Sequence, residues 1–160
     1  MHPIFWGIII FLAITMMAVV VNYIIRAIGF ACQFCDELVV KSFDNINRAD
    51  QEVILAYFRD YEHREPDELG IFVCLSCRTV YDDFSGERAS RSHDKYGCNT
   101  FCKVCGVLLY KCELDRQVIC SDCRTKYQWQ EHEKSGFRFF MPEKGAKIML
   151  KAPSYLESGR

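Results

Sequence analysis

Ten cysteines dominate the chemistry open to this sequence. They are Cys32, Cys35, Cys74, Cys77, Cys98, Cys102, Cys105, Cys112, Cys120 and Cys123, and eight of them form the C-x-x-C pairs CQFC, CLSC, CKVC and CSDC. Such a pair presents two thiolates at one turn of chain, and two turns supply the four sulfurs of a tetrahedral site with Zn–S of about 2.3 Å. Disulfide frameworks have no need of a repeated two-residue gap. Thiol redox chemistry uses one pair at a helix start that follows a strand, a setting that four pairs in so short a chain cannot each have. The spacing predicts metal ligation by Cys32, Cys35, Cys74, Cys77, Cys102, Cys105, Cys120 and Cys123. Two sites follow, with Zn2+ expected and iron as the competing metal.

The tightest unit is Cys102/Cys105 with Cys120/Cys123, spaced C-x2-C-x14-C-x2-C. Between its pairs lie an apolar stretch at 107–110, a polar turn near Asp115 and then Val118 and Ile119, which reads as a short hairpin with a knuckle at each end. These residues resemble a zinc ribbon, and FCKVCG, with Gly106 after the second cysteine, looks like a knuckle of that class. The resemblance covers about 25 residues and implies a structural class, not a particular family. After the other pairs stand Asp36, Arg78 and Arg124, so those knuckles depart from the pattern. The remaining pairs, Cys32/Cys35 and Cys74/Cys77, then make a second site that closes a 38-residue insertion. A competing arrangement joins Cys74/Cys77 to Cys102/Cys105 and leaves Cys32/Cys35 for Cys120/Cys123. A third is RING-like, with His93 and Cys98 completing a site beside Cys120/Cys123. Cys98 and Cys112 are left over in both ribbon schemes and read as buried or half-exposed thiols. Internal repetition is read as confined to the C-x-x-C knuckles.

A small body must hold these sulfurs. The chain has 160 residues, 50% hydrophobic and 26% charged, which excludes a disordered chain and a multi-span transporter. Residues 1–25 contain no Lys, Arg, Asp or Glu. Residues 4–28 are nearly all apolar and, as a helix, long enough for a roughly 30 Å hydrocarbon core. A cleaved signal fits poorly because no Lys or Arg precedes the run, and a lipoprotein-type site before Cys32 would place Phe30 badly. The carboxyl side of the run offers Arg26 and then Lys41, so the positive-inside tendency puts the carboxyl-terminal part in the cytoplasm. Many reduced thiols point the same way.

Val53, Ile54, Tyr57, Phe58 and Tyr61 recur on one helical face, predicting an amphipathic helix over 47–64 with Asn47 or Asp44 as N-cap and Pro66 as its stop. Ile71 to Val73 and Thr79 to Tyr81 read as short strands around CLSC. Residues 82–97 read as a solvated polar loop. In the tail, FRFF and AKIML read as two strands, and its five Lys/Arg over 134–151 are too few to make nucleic acid an expected partner.

The fold class expected is α+β: a small metal-stabilised domain with zinc-ribbon β-hairpins and one amphipathic helix, preceded by a single transmembrane helix. Its parts are an anchor over 1–30, a zinc-binding domain over 31–151 and a flexible tail over 152–160. Within the domain, 31–81 carries the first knuckles and the helix, 82–97 the loop, 98–130 the ribbon and 134–151 the basic-aromatic strands. Phosphate-cradling glycine loops, H-E-x-x-H and serine nucleophile elbows do not occur, and no catalytic residue is expected. The function expected is a membrane-anchored, non-catalytic platform for protein interaction, contacting the bilayer through 4–28, with its amino terminus outside. The competing functions are a membrane-anchored RING-type ubiquitin ligase and a rubredoxin-like iron electron carrier.

Overall fold

Short apolar runs flank the cysteines, and in a strand a period of two puts neighbouring side chains on opposite faces of a sheet. The computed structural model describes residues 7, 10–20, 32–35, 40–88, 98–109 and 112–152. Its strands are β1 (Val40–Ser42), β2 (Phe72–Cys74), β3 (Thr79–Tyr81), β4 (Ser85–Arg88), β5 (Cys98–Thr100), β6 (Val118–Ile119), β7 (Lys126–Glu131) and β8 (Arg138–Pro142). Six of them form one sheet in the order β1-β2-β3-β8-β7-β6. Its neighbours are antiparallel except β3 and β8, which run parallel through the pair Thr79 and Arg138. β4 and β5 pair separately.

The two faces of the sheet carry different layers. Tyr81, Tyr127, Trp129 and Phe140 lie on one face and pack with the buried Cys32, Cys74, Cys102 and Cys120. Val73, Val80, Phe139 and Met141 lie on the other and pack against Ile54, Tyr57 and Phe58. The Tyr57 ring stacks on Phe139 at 3.6 Å between centroids.

The helical layer differs from the expected 47–64 helix. Helix α1 covers Arg48–Tyr57, and the Asn47 side chain caps it by accepting from the Asp50 backbone N–H at 2.8 Å. A wider π turn follows at Phe58–Glu62, and His63, with φ 54°, ends it before Pro66 is reached. The turn carries Phe58 and the carboxylate of Glu62 into the interior.

Three further expectations are corrected. The transmembrane helix is not supported: among the described residues no helix is long and apolar enough to cross a membrane. Residues 10–20 are helical. The rest of the expected bilayer contact over 4–28 lies largely outside the described residues. The loop expected over 82–97 is not solvated at its start, where Asp82, Asp83 and Phe84 are buried, and 85–88 form β4; residues 89–97 lie outside the described set. FRFF falls in and beside β8, but AKIML forms no strand. Instead the Met149 backbone N–H donates to the Lys103 carbonyl at 2.8 Å, strapping the tail over a knuckle.

Candidate metal centres

The eight predicted ligands gather into two groups, Cys32/Cys35/Cys74/Cys77 and Cys102/Cys105/Cys120/Cys123, each with all its sulfurs within 4.8 Å of one another. In the first, Cys32 and Cys77 stand 3.5 Å apart and Cys35 and Cys74 3.4 Å apart. In the second, the corresponding separations are 3.4 Å for Cys102 to Cys123 and 3.5 Å for Cys105 to Cys120. Four sulfurs ~2.3 Å from a tetrahedral ion lie about 3.8 Å from each other. The groups therefore have the size that such an ion demands and are too open for S–S bonds. Among the described residues neither the alternative ribbon pairing nor the RING-like interleaving is seen, because Cys120/Cys123 gathers with Cys102/Cys105. His93 lies outside the described residues, and Cys112 is a buried thiol apart from both groups, its Sγ 3.6 Å from the Leu109 carbonyl.

One pair of each group is supplied by a strand–knuckle–strand unit. Cys74 ends β2, and Cys77 precedes β3; Cys120 follows β6, and Cys123 precedes β7. Arg78 and Arg124, just past the second cysteine, adopt φ 55° and 64°, the same left-handed region as Gly106 at φ 78°. At Arg78 and Arg124 the missing glycine is thus a difference of residue type and not of backbone path. The backbone closes both knuckles of the second group alike: Gly106 N–H donates to the Cys102 carbonyl at 2.8 Å and Arg124 N–H to the Cys120 carbonyl at 3.1 Å.

The likeness runs further than the knuckles. Residues 74–81 read CLSCRTVY and 120–127 read CSDCRTKY, a C-x-x-C-R-T-x-Y repeat. The threonine hydroxyl meets the preceding cysteine in both: Thr79 Oγ1 lies 3.1 Å from Cys77 Sγ, and Thr125 Oγ1 3.1 Å from Cys123 Sγ. The tyrosine hydroxyl reaches the first cysteine of its group, Tyr81 to Cys32 at 3.1 Å and Tyr127 to Cys102 at 3.2 Å. These four residues were missed in the reading of the sequence, although the repeat is visible there.

Burial and hydrogen bonding divide the sulfurs. Burial pushes the Cys32, Cys74 and Cys102 thiols above their ordinary value and Cys105 up to about 12. Burial also opposes ionisation of Cys77 and Cys123, but there the threonine hydroxyls and neighbouring thiols outweigh it, bringing Cys123 down to about 6. Each group thus carries one sulfur predisposed to be a thiolate, the form that ligates metal. Cys105 is the exposed member of the second group.

Beside that group lies a second cluster which the sequence reading did not find. The side chain of Lys103, next to Cys102, is buried with its Nζ 2.5 Å from both Glu62 Oε1 and Asp82 Oδ2. Arg64 completes it, with Nε 2.8 Å from Glu62, Nη2 3.2 Å from Asp82 and Nη1 2.7 Å from Asp83. Burial alone would lift the Asp82 carboxyl and depress the Lys103 amine, but their mutual attraction, with Arg64 and Glu62 contributing, shifts both the other way and keeps them charged. Every member is at most 5% exposed.

Comparison with family models, with curated proteins and with solved structures found no match to this chain. Geometry alone therefore defines the class: two four-cysteine clusters that fit zinc-ribbon-like knuckles and could bind two metal ions, on a mixed α+β frame.

Proposed function

We propose that this chain is a zinc-ribbon-type scaffold that holds two structural Zn2+ ions, catalyses nothing itself and offers its surface to a protein partner. The observation that carries this reading is the gathering of eight C-x-x-C sulfurs into two compact quartets. A quartet of thiolates fills the coordination of a tetrahedral ion and leaves no position for a substrate, which is the mark of structural rather than catalytic zinc. Zinc suits thiolates without redox chemistry of its own. The unbridged thiols suit a reducing, cytosol-like compartment. If the ions only hold the fold, the functional part is the surface they support, and hence a platform.

Elemental analysis of the purified chain tests this. Two zinc ions per chain in a colourless protein are expected, unchanged by His93→Ala. A red protein bleached by dithionite would replace the reading by an iron electron carrier. Fewer than one ion per chain would remove it.

A further inference from the structure

We infer that Tyr81 and Tyr127 are outer-sphere ligands of the two metal centres, each donating its phenolic proton to the first thiolate of its quartet and thereby setting how firmly the ion is kept. The inference rests on the metal-binding reading above and adds to it a residue role that spacing of cysteines does not supply.

The direction of the hydrogen bond follows from elimination. A backbone N–H can only donate, and the Gln33 N–H points at Tyr81 Oη at 3.0 Å while the Lys103 N–H points at Tyr127 Oη at 2.9 Å. Each phenol oxygen is thus occupied as an acceptor and has one proton left to give. Within reach of that proton lies Cys32 Sγ at 3.1 Å from Tyr81 Oη, or Cys102 Sγ at 3.2 Å from Tyr127 Oη. A ligating sulfur is a thiolate and accepts only, so the proton must lie on oxygen and point to sulfur. The same chain residue types produce this arrangement twice, at the same offset in the C-x-x-C-R-T-x-Y repeat, which makes coincidence a poor explanation.

Packing fixes both donors. Tyr81 and Tyr127 are each 1% exposed. Tyr81 lies edge-on to Trp129 at 5.7 Å, and Tyr127 stacks on Phe140 at 5.1 Å. In such dry surroundings a charge-assisted hydrogen bond is stronger than in water. With the Phe34 N–H 3.5 Å from Cys32 Sγ and the Val104 N–H 3.4 Å from Cys102 Sγ, the first sulfur of each quartet receives two donors. They offset the excess negative charge that four thiolates leave around a divalent ion.

The test uses the full chain loaded with Co2+, whose thiolate charge-transfer band reports sulfur electron density. Tyr127→Phe and Tyr81→Phe are expected to move that band to longer wavelength at one centre each. Competition with a chelator should show metal held roughly 10- to 100-fold less tightly at that centre, the usual effect of losing an outer-sphere partner. A chain that binds two cobalt ions with an unmoved band and unchanged retention overturns the inference alone; a chain that binds none overturns the metal reading. The wild-type chain loaded with 113Cd2+ provides a readout that survives any misfolding of the variants. A through-bond coupling from each cadmium to a tyrosine hydroxyl proton is expected, and hydroxyl protons of Tyr81 and Tyr127 observed without it would overturn the inference.

Discussion

Lys103 stands one residue after Cys102, yet its side chain turns inward to meet Glu62 and Asp82 instead of water. Lysine is rarely buried unless paired, so nothing in its neighbours along the chain announces this position. The two carboxylates that hold it come from 41 and 21 residues upstream. Lys103→Met would strand buried carboxylates facing Arg64 alone, and a loss of about 3–5 kcal/mol in denaturant unfolding is expected. The cysteines behave oppositely, because their spacing declares them. Cys105 is exposed, so Cys105→Ser disturbs little packing, and metal content should fall from two ions to one. Retention of both ions would place the second ion elsewhere. Arg78 and Arg124 share a left-handed backbone but differ in contacts. Arg78 donates to the Gly136 and Ser135 carbonyls and lies over the Phe137 ring at 4.0 Å. The Arg124 side chain is exposed. Relief of left-handed strain, about 1–2 kcal/mol, exceeds the entropic cost of glycine, about 0.5–1 kcal/mol. Arg124→Gly should therefore raise the midpoint of unfolding and Arg78→Gly should lower it.

Among the elements, those set by local chemistry were legible and those set by distant packing were not. The strands around CLSC follow from the short runs of apolar and β-branched residues on either side of it, and α1 begins at Asn47 because its side chain satisfies a free N–H. The end of α1 is different: the π turn depends on burying Phe58 and Glu62 against groups far along the chain, which no local pattern reveals. The polar run after Tyr81 misled for the same reason, since DDF looks solvated until Arg64 arrives to meet both aspartates. The metal quartets are legible as ligand types from the C-x-x-C spacing, whereas the hydroxyls of Tyr81 and Tyr127 reach sulfurs 49 and 25 residues away, which only the folded chain brings beside them. Gly70 ties this region together, for a Cβ there would lie 2.9 Å from the Asp83 backbone. Gly70→Ala should cost roughly 1–3 kcal/mol by forcing Asp83 away from Arg64, measurable as a lowered thermal midpoint with metal content unchanged.

For the molecule as a whole, ion and proton compete for the same sulfurs. With Cys105 lifted to about 12 and Cys123 brought to about 6 in the metal-free chain, binding must displace protons at neutral pH. Apparent affinity should thus rise with pH and fall sharply once Cys123 is protonated below its own value. Chelator competition at acid and at mildly alkaline pH would show this, and an affinity independent of pH would contradict it. The parallel seam between β3 and β8 has a consequence of another kind. Its first strand is finished at Tyr81, but its second ends at Pro142. At about 5–20 residues per second on the ribosome, the amino-terminal half waits roughly 3 to 12 seconds with one strand edge uncovered, so nascent-chain protection is needed most during that interval.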